Sequence, residues 1–551
     1  MRKKVWLKEK KYCSPEIQNE QISLMGLCIL RGLLSEIRNA RYYSVIADEA
    51  TDVGHKEQLV VCIRWVDDNF DIHEDPIQLI NVPKTDAQTL TTCIKDCLLR
   101  CCLPMSQCRS QAYDGAGNMN GYLNGVAAKI QNDVPSALYV HCLAHCTNLC
   151  LQTIGRQCQP VRDALDLARG VADLIRYSPK RSSLFQALQA QLPPGSDRSP
   201  SLKPLCPTRW TVRTSALHSI LNNYCVLCET LQKVNAECRD EYGRTAGGYL
   251  AQMEKFSTYL GLKMSHLIFG AGEQLSISLQ GKDTTLQEAT TAADLAVCHL
   301  ERLRTDEKFH SFYEDVVKCS KNLTAPPCLP RYRRPPQRLD EAGLTSHEFS
   351  SPECYFKQQY FEVLDLLVNE LKRRFQQKRG MPVAATIEKL LLDAVNGTYT
   401  MDGTALPEEL QLYKDDLDLS RLKYQLSMLP DVVQVRNRKL ENNPPITEVT
   451  NVRTICSIMA DISLCKEMLS EVVYLIKLFY TIPVTTSTAE RTFSALRRLK
   501  TYLRTTMSQE RLNHAMSLYV HKDRTDNIDL DEIANSFITV NERRRNFFGH
   551  V

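Results

Sequence analysis

The sequence predicts an α/β domain at the front of the chain, a long all-α stretch behind it and a helical C-terminal segment. Three observations carry that prediction. Between residues 41 and 160, short β-prone runs alternate with helical stretches. From 161 to 465 the apolar periodicity is almost entirely helical. From 466 to 540 amphipathic helices follow one another closely. The chain has 551 residues, 43% of them hydrophobic and 24% charged, an ordinary globular composition with room for several cores.

Residues 1–40 read as a basic, helical lead-in. The run 42–47 is β-prone and ends at Asp48; 58–66 and 77–82 are the next two such runs. A helix is expected from 86 to about 101, because Thr89, Leu90, Cys93, Ile94, Cys97 and Leu98 fall on one face. A strand ending at Tyr113 and Asp114 follows, then the loop Gly115-Ala-Gly-Asn118, a helix over 122–131 and a strand over 137–141. Three strands, a helix, a strand, a helix and a strand is the element order of a ribonuclease-H-like sheet.

The helical stretch is broken where prolines cluster, at 193–207 and 325–336, and the second break is also basic. In the last segment, Leu469, Val472, Val473, Leu475, Ile476 and Phe479 form one apolar face ahead of Pro483. A second helix starts near Thr488, with Phe493, Leu496, Leu499 and Leu503 at helical spacing, and a third spans 509–521. The tail 541–551 is basic.

The formal net charge is +4, from 68 basic against 64 acidic residues, so any nucleic-acid contact must come from local patches. No apolar run is long enough for a transmembrane helix, and the basic start lacks the apolar core of a secretory signal. The 22 cysteines show no repeating framework, which fits reduced thiols in cytosol or nucleus.

Asp48, Asp114 and Glu490 are the candidate catalytic and metal-binding residues. Three acids arriving from distant points of a chain are what a two-metal phosphoryl-transfer site requires. Each also has a plainer reading: Asp48 as a cap, Asp114 in turn chemistry, and Glu490 paired with Arg491, Arg497, Arg498 and Lys500 on a solvated helix. Glu49 and Asp52 are alternatives to Asp48. His141, Cys142, His145, Cys146 and Cys150 have the density of a zinc site but no second ligand pair at standard distance, so burial against a core is preferred. Arg209 and Trp210 pair a guanidinium with an indole, suited to DNA contact if exposed and to anchoring a helix if buried.

Taken in order, these residues form a pattern. Asp48-Glu-Ala-Thr-Asp52, Asp114-Gly-Ala-Gly-Asn118, Cys142-Leu-Ala-His145, Thr208-Arg-Trp210 and Ser487-Thr-Ala-Glu-Arg-Thr-Phe-Ser494 resemble the motifs of the hAT superfamily of DNA transposases, over about residues 20–540. The similarity is strongest to domesticated vertebrate members related to MYM-type zinc-finger and THAP-domain proteins. The resemblance implies a ribonuclease-H-like core interrupted by a large helical insertion and completed by a C-terminal dimerisation region. It places the acidic triad on Asp48, Asp114 and Glu490, with Mg2+ or Mn2+ between them if the chain is active. It makes Cys142, His145, Arg209 and Trp210 the residues that organise the site or touch DNA, and Leu475, Phe479, Phe493 and Leu496 the dimerisation residues. Two departures stand out. Ala50 occupies a position where such transposases often carry Trp, and no Cys/His finger pattern precedes residue 40.

The expected function is that of a transposase-derived nuclear protein that dimerises through its C-terminal region and binds DNA, with nuclear proteins as further partners and no membrane. The alternative is an active metal-dependent DNA transposase using the Asp-Asp-Glu triad.

Overall fold

The computed structural model describes residues 12–191, 202–205, 213–330, 349–375, 381–399, 406–439, 445–462 and 464–549. Its contacts divide the chain into two compact units. One comprises Met1–His145, Gln280–Ala289 and Gln377–Val551, and the other comprises Cys146–Leu279 and Thr290–Gln376. The helices after 377, read from sequence as the end of the 161–465 stretch, thus cluster with the sheet. Among the described residues, no helix is long and apolar enough to cross a membrane.

The first unit is built on a five-stranded mixed sheet of β1 (Tyr43–Thr51), β2 (Glu57–Val66), β3 (Ile72–Asn81), β4 (Cys108–Tyr113) and β5 (Leu138–His141), in the order β3-β2-β1-β4-β5. The pairs β1–β2 and β2–β3 are antiparallel; β1–β4 and β4–β5 are parallel. The two parallel pairings need crossovers, supplied by the helices Ala87–Arg100 and Val126–Asp133. This is the mixed sheet expected from the element order.

Both faces of the sheet are covered, which is why its strands read as nearly continuous apolar runs. Alternation along β1 sends Val45 and Ala47 to one face, with Leu59, Val61, Leu90, Ile94, Val126 and Ile130. Ile46 goes to the other, with Val60, Cys62, Ala112, Ala489, Phe493, Leu496, Leu512 and Met516. The second face is therefore closed by helices hundreds of residues downstream, Ser487–Leu499 and Gln509–Val520.

The boundaries differ from the sequence reading in three instructive places. β1 runs three residues past Asp48, because its antiparallel pairing with β2 continues to Thr51↔Glu57. β3 begins at Ile72 although it contains Pro76; it is an edge strand, and the register shifts between Val61 and Cys62, opposite that proline. The helix expected over 122–131 starts only at Val126, behind the short helix Gly117–Asn120. Gly121 and Gly125 close the intervening turn so tightly that a Cβ on Gly125 would lie 2.4 Å from the Gly121 nitrogen.

The described elements of the second unit are helices. The Phe256–Leu279 helix is its spine, buried on most sides through Leu260, Leu262, Met264, Ile268 and Phe269. Glycine lets neighbours approach it: a Cβ on Gly261 would meet the Pro160 carbonyl oxygen at 2.6 Å. Phe309, Phe356 and Tyr360 fill a second, aromatic part of that core.

Candidate functional site

Register brings the two aspartates level. Ile46 pairs with Ala112 across the parallel β1–β4 contact, and Asp48 and Asp114 each lie two residues beyond that pair. The period of two along a strand keeps Asp48 on the face of Ile46, which is the face covered by the Ser487–Leu499 helix. Glu490 sits in the first turn of that helix, next to the buried Ala489. Three acids separated by most of the chain are thus gathered on one side of the sheet.

Their electrostatics reflect the convergence. Burial pushes the Asp48 carboxyl well above the ordinary aspartate value, and the negative charges of Asp114 and Glu490 push it the same way. The Glu49 backbone N–H, donating to Asp48 Oδ1 at 2.9 Å, opposes the shift. Burial also raises Glu490, to about 7, against the lowering effect of the Arg491 guanidinium. Asp114 accepts from the Ala116 N–H at 3.1 Å, and the Tyr139 hydroxyl donates to the Asp114 carbonyl at 3.3 Å.

The two alternatives to Asp48 have other engagements. Glu49 projects to the opposite face, where Asn118 Nδ2 donates to its Oε1 at 2.8 Å and also to the Thr85 carbonyl at 2.8 Å. Asp52 lies in the turn after β1 and accepts from Lys500 Nζ at 2.6 Å, in an ion pair whose side chains are 0% and 1% exposed. The Gly54 and Lys56 N–H groups and Gln58 Nε2 complete its acceptors. Strand direction and local partners distinguish the three acids where spacing did not.

Oxygen donors of this type suit Mg2+ or Mn2+. Among the described residues, however, no group of three or more His, Cys, Asp and Glu side chains stands close enough to hold one ion. The three carboxylates share one face of the sheet.

Cys142 has a structural part next to the acids. Its Sγ accepts from the His145 N–H at 3.4 Å, at the start of the Leu143–Gln157 helix, and from the Thr486 N–H at 3.2 Å. The Leu143 N–H donates to the Val484 carbonyl at 3.1 Å. These bonds fix the loop that leads into Glu490. Burial pushes the Cys142 thiol up to about 11, so it serves as a neutral acceptor. The His141 and His145 rings lie 5.6 Å apart, and the His141 ring fills the space a Gly115 side chain would take, with its Nε2 2.6 Å from an added Cβ. Cys146 and Cys150 are buried farther along the helix. Arg209 and Trp210 lie outside the described residues.

The four residues expected to dimerise are all inside: Leu475 is 0% exposed, Leu496 3%, Phe479 4% and Phe493 7%. Phe493 and Leu496 pack on Ile46, Val60 and Cys62, so their apolar spacing serves the chain's own core. The four residues that the resemblance assigned to dimerisation are thus packed within the chain itself. Of the exposed large apolar residues in this segment, which also include Met468, Tyr519, Leu530 and Val540, the most exposed are Tyr502 and Leu503, 79% and 77%, in the turn Tyr502–Arg504.

Among the buried charges that sequence reasoning missed, Lys500 and Arg64 bear on the sheet. Lys500 was grouped with the solvated bases of its helix and is the partner of Asp52. Arg64, 1% exposed in β2, pairs with Glu74 at 2.8 Å and donates to the carbonyls of Tyr480, Lys282 and Thr284. The signal for Arg64 was present, as a lone charge within an apolar strand. None marked Lys500.

Comparison with known proteins agrees with this architecture. Residues 3–125 match the family described as ZMYM1/FAM200, RNase-like domain, and residues 470–523 match the hAT family C-terminal dimerisation region. The chain is similar to the 52 kDa repressor of the inhibitor of the protein kinase of Homo sapiens, 22% identical over 530 residues that cover 94% of this chain and 67% of that protein. The Mus musculus protein of the same name is 23% identical over 535 residues, with the same coverage. A shorter similarity, 30% over 131 residues, relates 22% of the chain to 14% of the General transcription factor II-I repeat domain-containing protein 2 of Mus musculus. The chain thus matches an RNase-like domain near one end and a hAT dimerisation region near the other, and it is similar to these relatives along nearly its whole length.

Proposed function

We propose that this protein is a self-associating, DNA-binding derivative of a hAT transposase that works in the nucleus alongside other nuclear proteins. The observation that carries the reading is the hAT dimerisation region at 470–523, whose described surface includes the exposed pair Tyr502 and Leu503. Exposed arginines flank that pair, Arg497 and Arg498 before it and Arg504 within its turn, and supply a local basic patch for phosphate contact on a nearly neutral chain. The relatives named as a repressor and as a transcription factor repeat protein support a nuclear setting.

Light scattering tests the assembly. The wild-type protein is expected as a dimer or larger, and Leu503→Asp is expected to shift it toward monomer while leaving thermal unfolding within about 0.5 kcal/mol of wild type. Phe493→Asp is the contrasting control: it places a charge in the core under the sheet and is expected to cost about 4 kcal/mol or more of stability. An oligomer unchanged by Leu503→Asp would exclude this surface.

A second reading, a metal-dependent DNA transposase with Mg2+ or Mn2+ as cofactor, is favoured by the meeting of Asp48, Asp114 and Glu490 on one face. It is tested by nicking of duplex DNA in the presence of either ion. Activity that survives Asp114→Ala would reject the site, and no activity in the wild type leaves the first reading standing alone.

A further inference from the structure

We propose that Cys97 and Cys101, at the strained end of the crossover helix Ala87–Arg100, form a dithiol site that a hydroperoxide oxidises reversibly to a disulfide. Both residues belong to the core under the sheet, with Val45, Leu90 and Ile94. The site lies within the first unit and rests neither on DNA binding nor on assembly through 470–523.

The helix builds the pair. Residues four apart share a face, so the apolar stripe that buries Leu90 and Ile94 also carries Cys97 and Cys101. Cys97 lies in the last turn, and Cys101 caps it, donating its N–H to the Cys97 carbonyl at 3.1 Å. The two thiols are hydrogen-bonded to each other, and the bond makes them unequal. Cys97 donates, which holds the Cys101 thiol below the ordinary cysteine value. Burial opposes that shift, and the guanidiniums of Arg100 and Arg38 reinforce it, although Arg100 also pairs with Asp96. The same hydrogen bond and burial push the Cys97 thiol up. Cys101 is therefore the attacking sulfur and Cys97 the resolving one.

Helix geometry decides whether the two can join. It sets α-carbons four residues apart at about 6.2 Å, inside the roughly 4.4–6.8 Å that a disulfide spans. Their β-carbons, about 5–6 Å apart in a regular helix, must close to about 4 Å. The last turn has to shift, and its end is made to yield. Cys102 has a φ of 53°, in the left-handed position after the cap where glycine is usual. Its N–H donates to the Leu99 carbonyl at 3.0 Å and the Leu103 N–H to the Leu98 carbonyl at 2.9 Å. A β-carbon strains that closing pair of bonds, so the turn that carries Cys101 opens at lower cost than one closed by glycine. Cys93, one turn earlier, has intact helix on both sides and no such slack.

The chemistry balances with the peroxide as oxidant. The Cys101 thiolate attacks one peroxide oxygen; an S–O bond forms, the O–O bond breaks, and the leaving hydroxide takes a proton to become water. The Cys97 sulfur then attacks the sulfenic sulfur; the S–S bond forms, the S–O bond breaks, and the departing hydroxide takes the Cys97 proton. Two thiols are oxidised and one peroxide is reduced to two waters.

The test treats the folded full chain with hydrogen peroxide, blocks the remaining thiols with N-ethylmaleimide and maps tryptic peptides. Cleavage after Arg100 parts the two cysteines, so their disulfide joins peptide 96–100 to peptide 101–109. That link is expected to form while the buried Cys62 and Cys142 are still reduced, and to disappear with dithiothreitol. Cys101→Ser should abolish it and Cys102→Ser should keep it, with melting curves as folding controls. Cys102→Gly relieves the strained end and is expected to slow the link by about fivefold or more. The proposal is overturned if the two peptides do not join, if they join in Cys101→Ser, if Cys62 and Cys142 are oxidised as fast, or if Cys102→Gly links at the wild-type rate.

Discussion

Asp48 and Asp52 lie four residues apart in one motif, the first half-buried and the second buried, yet the chain treats them in opposite ways. Asp52 meets a cation: burial alone would raise its carboxyl, but the Lys500 hydrogen bond and two backbone N–H groups bring it below the usual aspartate value. Asp48 meets acids, and burial, Asp114 and Glu490 all drive it up. The difference teaches that depth does not set a carboxylate's role; the charge of what it faces does. One end of the motif fastens the C-terminal helices to the sheet. The other gathers three carboxylates on one face, where burial and like charge oppose ionisation of Asp48.

The largest effect should come from breaking the fastened end. Lys500→Met leaves Asp52 buried without its cation and is expected to cost about 3–5 kcal/mol, read as a lowered denaturant midpoint. Adding Asp52→Asn should recover much of that loss, and a Lys500→Met protein as stable as wild type would show that the pair does no fastening. At the other end the sign reverses. Asp48→Asn removes one of three converging charges and is expected to stabilise the fold by about 1 kcal/mol at neutral pH. A destabilised Asp48→Asn variant would mean that the acids do not repel one another in the folded chain.

The smallest effects are in the pH dependence, and they also differ in sign. The depressed folded value of Asp52 gives stability that is complete above its unfolded value near pH 4 and is lost as pH falls through the lower folded value. The Lys500→Met penalty should therefore shrink below about pH 4. The raised folded value of Asp48 works the other way: its contribution is unfavourable at neutral pH and is relieved as pH falls toward the unfolded value. The advantage of Asp48→Asn over wild type should fade over that descent, and denaturant titrations at a series of pH values check both trends.

Much of this was legible in the residues. The β-prone runs around 42–66 and 108–141 and the helix over 87–100 announced a mixed sheet, because a side-chain period of two or 3.6 is a local property. The acids Asp48, Asp114 and Glu490 could be named from their motifs. What could not be read was the destination of an apolar face. Phe493 and Leu496 have the spacing of any buried stripe, and the sequence does not say whether the stripe is covered by a second copy or by β1 and β2 of the same chain. Nor does a lysine in a basic helix reveal that it is 1% exposed beside an aspartate more than four hundred residues away.

By itself, then, the sequence determined the kinds of element, their order and the identities of the charged residues, since these follow from local periodicity and chemistry. The tertiary structure alone decided which charges meet. Parallel register set Asp48 level with Asp114, the return of the Ser487–Leu499 helix put Glu490 over the same face, and the turn after β1 gave Asp52 to Lys500. Pairing across such distances depends on how sheet and helix pack, and a carboxylate carries no local mark of the partner it will find.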